Sequence, residues 1–404
     1  MRYTIGQLAE IIDGDRGKNY PKQDEFYPQG YCLFLNTGNV TKEGLIFEEN
    51  QFIMKEKDEA LRKGKLKRGD IVYTTRGTVG NAGYYNSSVP YENVRINSGM
   101  VILRSNGEIV DARFLYQILK SEYYRPYFKQ YCTGSAQPQL PIKNFSQIYL
   151  NVPDIKTQHR IADILSVYDD LIENNQRQIK LLEEAAQRLY KEWFVNLRFP
   201  GHENTKIVDG VPEGWSVYPF SSKVDIMSGG TPKTSIPDYY NGKIPFYTPK
   251  DSDGAFFAYK TQINITEGGL KNCNSRLYPP KTVIITARGT VGKTTILAVP
   301  MAMNQSCYAL KMKENDAPYY LFFALNNEIK ALQTMANGGV FNTIIGKTFD
   351  SINIQIPKDP LIYGFEKTVR PFMEQIKNKL QANSKLVEAR DRLLPKLMSG
   401  EVKV

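Results

Sequence analysis

Residues 157–194 constrain the fold more than any other stretch, because apolar residues recur there at alternating intervals of four and three. The positions that follow this pattern are Ile161, Leu165, Tyr168, Ile172, Asn175, Ile179, Leu182, Ala186, Leu189 and Trp193. A mean spacing of 3.5 residues keeps them on one helix face only if the helix supercoils around a partner helix. Asn175 is the one polar member, and a lone Asn in such a seam typically fixes register and partner number. The stretch therefore predicts one helix of a coiled coil.

An internal repeat predicts the domain organisation. Residues 74–80 read Thr-Thr-Arg-Gly-Thr-Val-Gly and residues 286–292 read Thr-Ala-Arg-Gly-Thr-Val-Gly, and each copy follows an apolar run typical of a β-strand. Further on, the offset settles at 204 residues, where the matching pairs are Gly134 and Gly338, Lys143 and Lys347, Phe145 and Phe349, Ile148 and Ile352, and Pro153 and Pro357. The repeat indicates two related globular domains.

The same offset locates a partner for the first helix, over residues 361–398. Its expected seam positions are Phe365, Val369, Phe372, Ile376, Leu386, Leu393 and Leu397. Lys379, Asn383 and Arg390 fill the remaining positions, and a local shift that brings in Leu380 and Val387 is an alternative register. Because a whole domain separates the two helices in sequence, they can run antiparallel.

We therefore predict an α+β fold with two α/β domains in a pseudo-two-fold arrangement, separated by two long antiparallel coiled-coil helices. The expected domains are 1–153 and 200–357, and the expected helical segments are 154–199 and 358–404. At 1.5 Å per residue, a helix over 157–194 is roughly 57 Å long, which suits a spacer. The alternative is an ordinary helical hairpin buried in a single core.

The charge balance favours a polyanionic partner. The chain has 52 Lys and Arg against 42 Asp and Glu, a net charge of +10. A solvated basic surface is the alternative.

Four scattered cysteines and two histidines argue against a metal site. The amino terminus lacks a signal-peptide pattern and no stretch has the length of a membrane span, so we expect a cytoplasmic protein without membrane contact.

Catalytic motifs are missing from the sequence. Residues 287–294 approach a phosphate-binding loop, but Ala287 stands where that loop requires Gly, and the first copy lacks the Lys and hydroxyl pair. Residues 295–300 also read as a strand rather than the helix that would follow such a loop. We find no adenine-methylation motif, no G-x-S-x-G elbow and no H-E-x-x-H helix. A non-catalytic chain is expected.

The repeated Arg-Gly-Thr-Val-Gly predicts a tight turn from which Arg and Thr project, and both suit phosphates or base edges. The preferred interpretation is that these arginines brace the turn through carbonyl contacts, because a feature shared by both halves favours a scaffold. Sequence-reading residues are expected where the halves differ, including the loops at 135–139 and 337–342, whose amides could instead cap turns. A basic run over 62–68 is a further candidate or a solvated face. The candidate DNA-binding residues are Arg16, Lys18, Lys22, Arg76, Thr78, Gln137, Gln139, Lys233, Lys250, Arg288, Thr290, Lys293 and Asn342.

Over nearly its whole length the chain resembles the DNA-specificity subunit of type I restriction-modification enzymes. The resemblance lies in Gly229-Gly230-Thr231-Pro232, in residues 242–251, in both copies of Arg-Gly-Thr-Val-Gly, and in residues 393–401. These stretches are modest alone, but their order around two long helices is specific. One departure is that the first half has Asp13-Gly14-Asp15-Arg16 near the place of Gly-Gly-Thr-Pro, which puts a transfer of contacts between halves in doubt.

The resemblance implies two target-recognition domains, each reading half of a bipartite site in double-stranded DNA, with the helices setting the gap. It also implies two methylation subunits that bring S-adenosylmethionine and restriction subunits that bring ATP and Mg, so that this chain binds no cofactor itself. The outward helix face, with Asp169, Asp170, Glu173, Glu183 and Glu184, is expected to dock the methylation subunits. The alternative is a non-catalytic coiled-coil scaffold whose DNA contact is incidental.

Overall fold

The computed structural model describes residues 1–134, 137–335 and 343–404, which divide into two units. Unit 1 is Met1–Ile172 with Lys385–Val404, and unit 2 is Glu173–Ser384. The strands, in chain order, are β1 (Arg2–Thr4), β2 (Ala9–Asp13), β3 (Cys32–Leu35), β4 (Phe52–Ile53), β5 (Ile71–Thr74), β6 (Ala82–Tyr84), β7 (Val94–Ile96), β8 (Met100–Ser105), β9 (Tyr149–Asn151), β10 (Ile207–Val208), β11 (Val211–Pro212), β12 (Ser216–Pro219), β13 (Val224–Ser228), β14 (Tyr240–Tyr247), β15 (Phe257–Ala258), β16 (Asn264–Ile265), β17 (Val283–Thr286), β18 (Thr294–Leu297), β19 (Ala302–Met303), β20 (Cys307–Met312) and β21 (Asn353–Ile356). The α-helices are α1 (Ile5–Leu8), α2 (Lys55–Ala60), α3 (Ala112–Lys120), α4 (Arg125–Lys129), α5 (Ile142–Ser146), α6 (Ile155–Tyr190), α7 (Phe220–Lys223), α8 (Glu267–Lys271), α9 (Pro318–Met335), α10 (Gly346–Asp350) and α11 (Asp359–Ser399).

Unit 1 is built on an antiparallel four-stranded sheet in the order β2-β8-β5-β6. The central strand β5 reads Ile-Val-Tyr-Thr and is buried throughout, as expected for β-branched and aromatic residues. A second sheet, β4-β3-β7, pairs β3 with β7 in parallel, and β1 pairs with β9. Helix α3 covers the first sheet and is capped by Asp111, whose Oδ1 accepts the Phe114 N–H at 2.9 Å.

Unit 2 repeats this topology strand for strand. The orders β13-β20-β17-β18, β16-β14-β19 and β12-β21 correspond to the three sheets of unit 1, and α9 packs on its large sheet as α3 does. An additional strand, β15, pairs in parallel with β18. The duplication predicted from the sequence is confirmed.

The long helices pack antiparallel within unit 1. The contacts join early residues of α6 to late residues at the other terminus: Arg160 donates to the Val404 carbonyl at 3.0 Å, and Arg390 donates to Asp169 Oδ1 at 2.7 Å. Two apolar residues on each helix, Ile161, Leu165, Leu394 and Leu397, are buried in the core that includes α3. Tyr168, Leu386 and Leu393 are only partly buried.

The helices are also antiparallel within unit 2. Asn175 donates to Asn383 Oδ1 at 2.9 Å, Lys379 Nζ lies 3.4 Å from Asn175 Oδ1, and the rings of Trp193 and Phe365 are 6.0 Å apart. The polar seam residues thus pair with each other. The predicted apolar seam residues of unit 2 are buried or packed against its core: Ile179, Leu182, Ala186, Leu189, Trp193, Phe365, Val369 and Ile376.

Burial along α11 is displaced by one residue from the predicted seam at two places. Met373 is fully buried whereas Phe372 is partly exposed, and Leu394 is more buried than Leu393. A helix with 3.6 residues per turn drifts against a strict 3.5-residue repeat, which explains the displacement. The seam residues contribute to separate cores in unit 1 and unit 2, so the alternative of a hairpin in a single core is wrong.

Asp169 does not lie on the outward face where the sequence placed it. Besides Arg390, its carboxylate accepts hydrogen bonds from Gln117 Nε2 at 2.6 Å and Lys120 Nζ at 3.0 Å, both on α3. The position flanks the seam and becomes covered because α3 packs against α6. Asp170, the next residue, is exposed.

Candidate nucleic-acid interface

The repeated turn has the same internal geometry in both units, and a threonine holds it. In unit 1 the Thr74 hydroxyl donates to the Thr78 carbonyl and accepts the Asn81 N–H at 2.9 Å. Gly77 and Gly80 have φ values of 71° and 99°, a backbone region in which residues with a Cβ are strained. These features fix a rigid turn between β5 and β6.

In unit 2 the Thr286 hydroxyl makes the equivalent contacts between β17 and β18. It donates to the Thr290 carbonyl and accepts the Lys293 N–H at 3.1 Å. Gly289 and Gly292 again have positive φ, at 81° and 82°. The turn is therefore one structural device used twice.

The arginines of the turn do not brace it. Arg76 and Arg288 are exposed, and among the described residues neither guanidinium makes a hydrogen bond or an ion pair. Thr78 and Thr290 are exposed beside them. The bracing interpretation is wrong, because the carbonyl contact inside each turn is made by the buried threonine hydroxyl and not by the arginine. Each unit thus presents an unpaired cation and a hydroxyl on a rigid support, which suits contact with phosphate or a base edge.

Several other loops of unit 1 lie at the same end of the sheets as this turn. The Thr75 N–H donates to Gly99 in the loop before β8 at 2.9 Å, and the Leu140 N–H donates to Thr75 at 2.9 Å. Arg16, after β2, donates to Asp13 at 3.2 Å and to the Ser98 carbonyl at 3.1 Å. The turn, the 97–99 loop, the 137–140 segment and the start of the 14–18 loop therefore form one surface, which we call the unit 1 loop face.

Unit 2 has an equivalent set of loops. The Ala287 N–H donates to the Ser306 carbonyl at 2.7 Å, the Ile344 N–H donates to Ala287 at 2.9 Å, and the Thr290 hydroxyl donates to the Pro249 carbonyl at 3.3 Å. We call this surface the unit 2 loop face.

The predicted basic and amide residues are distributed unevenly over these faces. Gln137 and Gln139 are exposed on the segment that Leu140 ties to the unit 1 turn, and Lys250 and Lys293 are exposed next to the unit 2 turn. Lys18, Lys22 and Lys233 are exposed on the loops that follow β2 and β13. Asn342 and the rest of the two amide loops at Ser135, Ala136 and residues 337–341 lie outside the described residues.

The basic run at 62–68 is largely structural. Arg68 donates to the carbonyls of Val89 and Tyr91 at 2.9 and 3.1 Å, and Lys65 Nζ lies 2.5 Å from Asp58 Oδ2. Burial would raise the pKa of Asp58, but hydrogen bonds from Lys65 and Arg95 outweigh it and hold that pKa below its usual value. Lys65 and Arg68, together with Arg62 through its ion pair with Asp15, are therefore engaged in contacts within unit 1.

The loops that precede β8 and β20 were not identified as functional from the amino-acid sequence. The sequence signal is the correspondence of Asn97-Ser98-Gly99 with Asn304-Gln305-Ser306. In both, an Asn is followed two residues later by a small residue, immediately before a buried strand.

Within the described ranges, no three His, Cys, Asp or Glu side chains gather closely enough to hold a metal ion. None of the described helices is long and apolar enough to cross a lipid bilayer.

Comparison with known proteins gives a consistent answer. Residues 1–184 and 212–383 match the family described as type I restriction modification DNA specificity domain. The HindI specificity subunit of Haemophilus influenzae is 26% identical, over 98% of this chain and 100% of its own length. The MjaIX specificity subunit of Methanocaldococcus jannaschii is 26% identical, over 86% of this chain and 81% of its own length.

Among solved structures, the crystal structure of the type I restriction-modification S subunit from M. genitalium shares the fold. It superposes with a TM-score of 0.55 at 18% identity, covering 98% of this chain and 95% of that chain. The family match covers most of the sequence and falls on both copies of the repeat. The chain therefore belongs to the type I restriction-modification DNA specificity family.

Proposed function

We propose that unit 1 and unit 2 each read one half of a bipartite DNA site through their loop faces, so that the chain acts as the DNA reader of a type I restriction-modification complex. One observation carries the proposal: the same rigid turn presents an exposed arginine and an exposed threonine in both units. The corresponding recognition domains are 1–153 and 200–357. A scaffold with incidental DNA contact would have no need of two such turns.

The helical segments 154–199 and 358–404 are proposed to set the gap between the half-sites. Half-sites read from one face of B-DNA are about one helical turn, roughly 34 Å, apart. Helices of 36 and 41 residues have the length for this role. Their polar contacts, Asn175 with Asn383 and Arg390 with Asp169, fix the register on which a defined gap depends.

The partners proposed are double-stranded DNA, two methylation subunits and restriction subunits, in a cytoplasmic complex. This chain is proposed to be non-catalytic, with S-adenosylmethionine, ATP and Mg held by the partners.

Three apolar side chains lie at helical spacing on α6. They are Ile164, Val167 and Leu171, which are 37%, 56% and 47% exposed. This stripe, next to Asp170, is the surface we assign to a methylation subunit, in place of an acidic face that includes Asp169.

Removal of the arginine charge tests the loop faces. We expect Arg76→Gln and Arg288→Gln each to weaken binding of duplex DNA, because each loses one contact with the polyanion. The slope of log K against log salt should fall by about 1 per substitution. The measurement is a salt titration of DNA affinity for the chain assembled with its methylation subunits. Lys206→Gln, which removes an exposed charge from the segment between α6 and β12, should leave the slope unchanged. Equal slopes in all three variants would contradict the assignment.

Helix length tests the spacer. Inserting seven residues into both helices, after Ile172 and after Asn383, preserves the phase of the seam and adds about 10 Å. We expect the gap in the modified DNA sites to lengthen by about three base pairs while both half-site sequences stay the same. Mapping of modified bases in the genome measures both quantities. An insertion in one helix alone is the control and should abolish modification, because it displaces one side of the seam. A constant gap after the double insertion would rule the spacer out.

A further inference from the structure

The loop before β8 and the loop before β20 are held by the same three hydrogen bonds, each donated by a backbone N–H group. In unit 1, Asn97 N–H donates to Leu35 O at 3.0 Å, Gly99 N–H donates to Asn97 Oδ1 at 2.9 Å, and Gly99 O accepts from Thr75 N–H at 2.9 Å. Since each contact ties the loop to a different strand end or to itself, the backbone of this loop is fixed independently of residue 98.

In unit 2 the contacts recur with nearly the same lengths. Asn304 N–H donates to Tyr247 O at 3.0 Å, Ser306 N–H donates to Asn304 Oδ1 at 3.0 Å, and Ser306 O accepts from Ala287 N–H at 2.7 Å. The residue framed in this way is Gln305, which corresponds to Ser98.

A glycine brings a second loop against each of these frames. A Cβ atom at Gly14 would lie 2.3 Å from Asn97 O, and one at Gly229 would lie 2.2 Å from Asn304 O, so neither position tolerates a side chain without rearrangement. Gly14 and Gly229 are thus equivalent, although the surrounding sequences differ. The residues that follow them, Arg16 and Thr231, reach residue 98 and residue 305 respectively.

The two units place different chemistry in this common frame. In unit 1 the Ser98 carbonyl accepts from Arg16, whose side chain is 44% exposed. In unit 2 the exposed side chain is Gln305, and its Oε1 accepts the hydroxyl hydrogen of Thr231. A constant backbone that carries a variable, anchored and exposed polar side chain is what sequence reading requires, because the support must be preserved while the reading group changes.

We propose that Gln305 is a specificity-determining residue that reads an A·T base pair in the half-site contacted by unit 2. The inference rests on the proposed DNA-reading function. The Thr231 hydroxyl occupies one of the two lone pairs of Gln305 Oε1 and fixes the orientation of the amide. The other lone pair and the Nε2 donors have no partner within the described part of the chain, and they match the N6 donor and N7 acceptor of adenine in the major groove. Gln305 is the neighbour of Ser306, which is bonded to the arginine-bearing turn, so base and backbone contacts would come from one surface.

The test is selection of bound sequences from a pool of random DNA duplexes by the full-length chain assembled with its methylation subunits. Wild type should enrich a bipartite motif. Gln305→Ala should lose preference at one A·T base pair of one half-site by roughly ten- to a hundredfold and leave the other half-site unchanged. Gln305→Glu should move the preference at that base pair towards cytosine, whose N4 amino group donates to a carboxylate.

Gln355→Ala is the matched control, since Gln355 is an exposed glutamine on β21 of the same unit. It should keep the wild-type motif. An unchanged motif with Gln305→Ala would overturn the inference while leaving the proposed function intact. Failure of the wild-type chain to enrich any bipartite motif would overturn the proposed function itself, and with it the inference.

Discussion

Asp169→Ala is expected to lower the free energy of unfolding of unit 1 by about 3 to 5 kcal/mol, because it leaves the buried Lys120 without its counter-ion and Arg390 with Asp391 alone. Lys120 and Arg390 are 7% and 9% exposed and both bond Asp169 Oδ1. Burial would raise the pKa of Asp169, but the charges of Lys120 and Arg390 and the hydrogen bond from Gln117 outweigh it and keep that pKa below its usual value. The carboxylate is thus the centre of a charged network that joins α3, α6 and α11.

Hydrogen exchange measures this effect where it should occur. The amides of α6 before Ile172 and of α11 after Lys385 should exchange faster in Asp169→Ala, whereas those of α9 in unit 2 should keep their rates. Asp170→Ala is the matched control, because Asp170 is exposed and should change stability by less than about 0.5 kcal/mol. Asp169→Asn should fall between the two, since it keeps the shape but not the charge. Equal exchange in Asp169→Ala and Asp170→Ala would show that the network contributes no stability.

The same network marks the limit of the sequence argument about the helices. At the 204-residue offset Asp169 and Arg390 correspond to Met373 and Ala186, which are fully buried in unit 2. Helical periodicity predicts which residues face a partner helix, and burial follows the predicted seam with one-residue displacements at two places on α11. It gives no information on Lys120 and Gln117, which reach Asp169 from a helix about 50 residues away in sequence. A charge that is paired across elements therefore looks, in sequence, like an exposed one.

The loop faces show a related limit. The repeated Arg-Gly-Thr-Val-Gly was predictable as a turn because its glycines and its position after an apolar run are local signals. Which side chain supports the turn was not, since the sequence cannot show that the threonine hydroxyl closes it and leaves the arginine unpaired. The sequence placed Asp13-Gly14-Asp15-Arg16 near Gly-Gly-Thr-Pro, but the exact equivalence of Gly14 and Gly229 was hidden. It depends on the close approach to Asn97 and Asn304, which only the tertiary structure brings about.

Glu366 on α11 is expected to make the stability of unit 2 depend on pH. Its Oε1 accepts the N–H groups of Tyr319 and Tyr320, both at 2.8 Å, and so caps the start of α9. Its Oε2 is buried without a hydrogen-bond partner among the described residues, and the side chain is 4% exposed. Burial raises the pKa of Glu366 to about 7, although the two backbone hydrogen bonds and Arg370 act in the opposite direction.

The direction of the effect follows from the two pKa values. Between the ordinary pKa of 4.5 and about 7, the folded state holds a proton that the unfolded state releases. The stabilisation is therefore complete below pH 4.5, declines as pH rises, and is lost above pH 7. The difference between the two pKa values corresponds to about 3 kcal/mol in the free energy of unfolding. Glu366→Gln keeps an oxygen for both N–H groups and cannot ionise, so it should be more stable than wild type at pH 8 and similar to it at pH 5.

Tryptophan fluorescence isolates this behaviour, because the two tryptophans of the chain, Trp193 and Trp215, both lie in unit 2. Guanidinium unfolding from pH 5 to 8.5 should give a midpoint that falls with pH in wild type and falls much less in Glu366→Gln. Some dependence should persist in both, since burial also raises the pKa of Glu328. Glu267→Gln, at an exposed position in the first turn of α8, should follow wild type. Parallel pH profiles for wild type and Glu366→Gln would show that the buried carboxyl does not govern the stability of this unit.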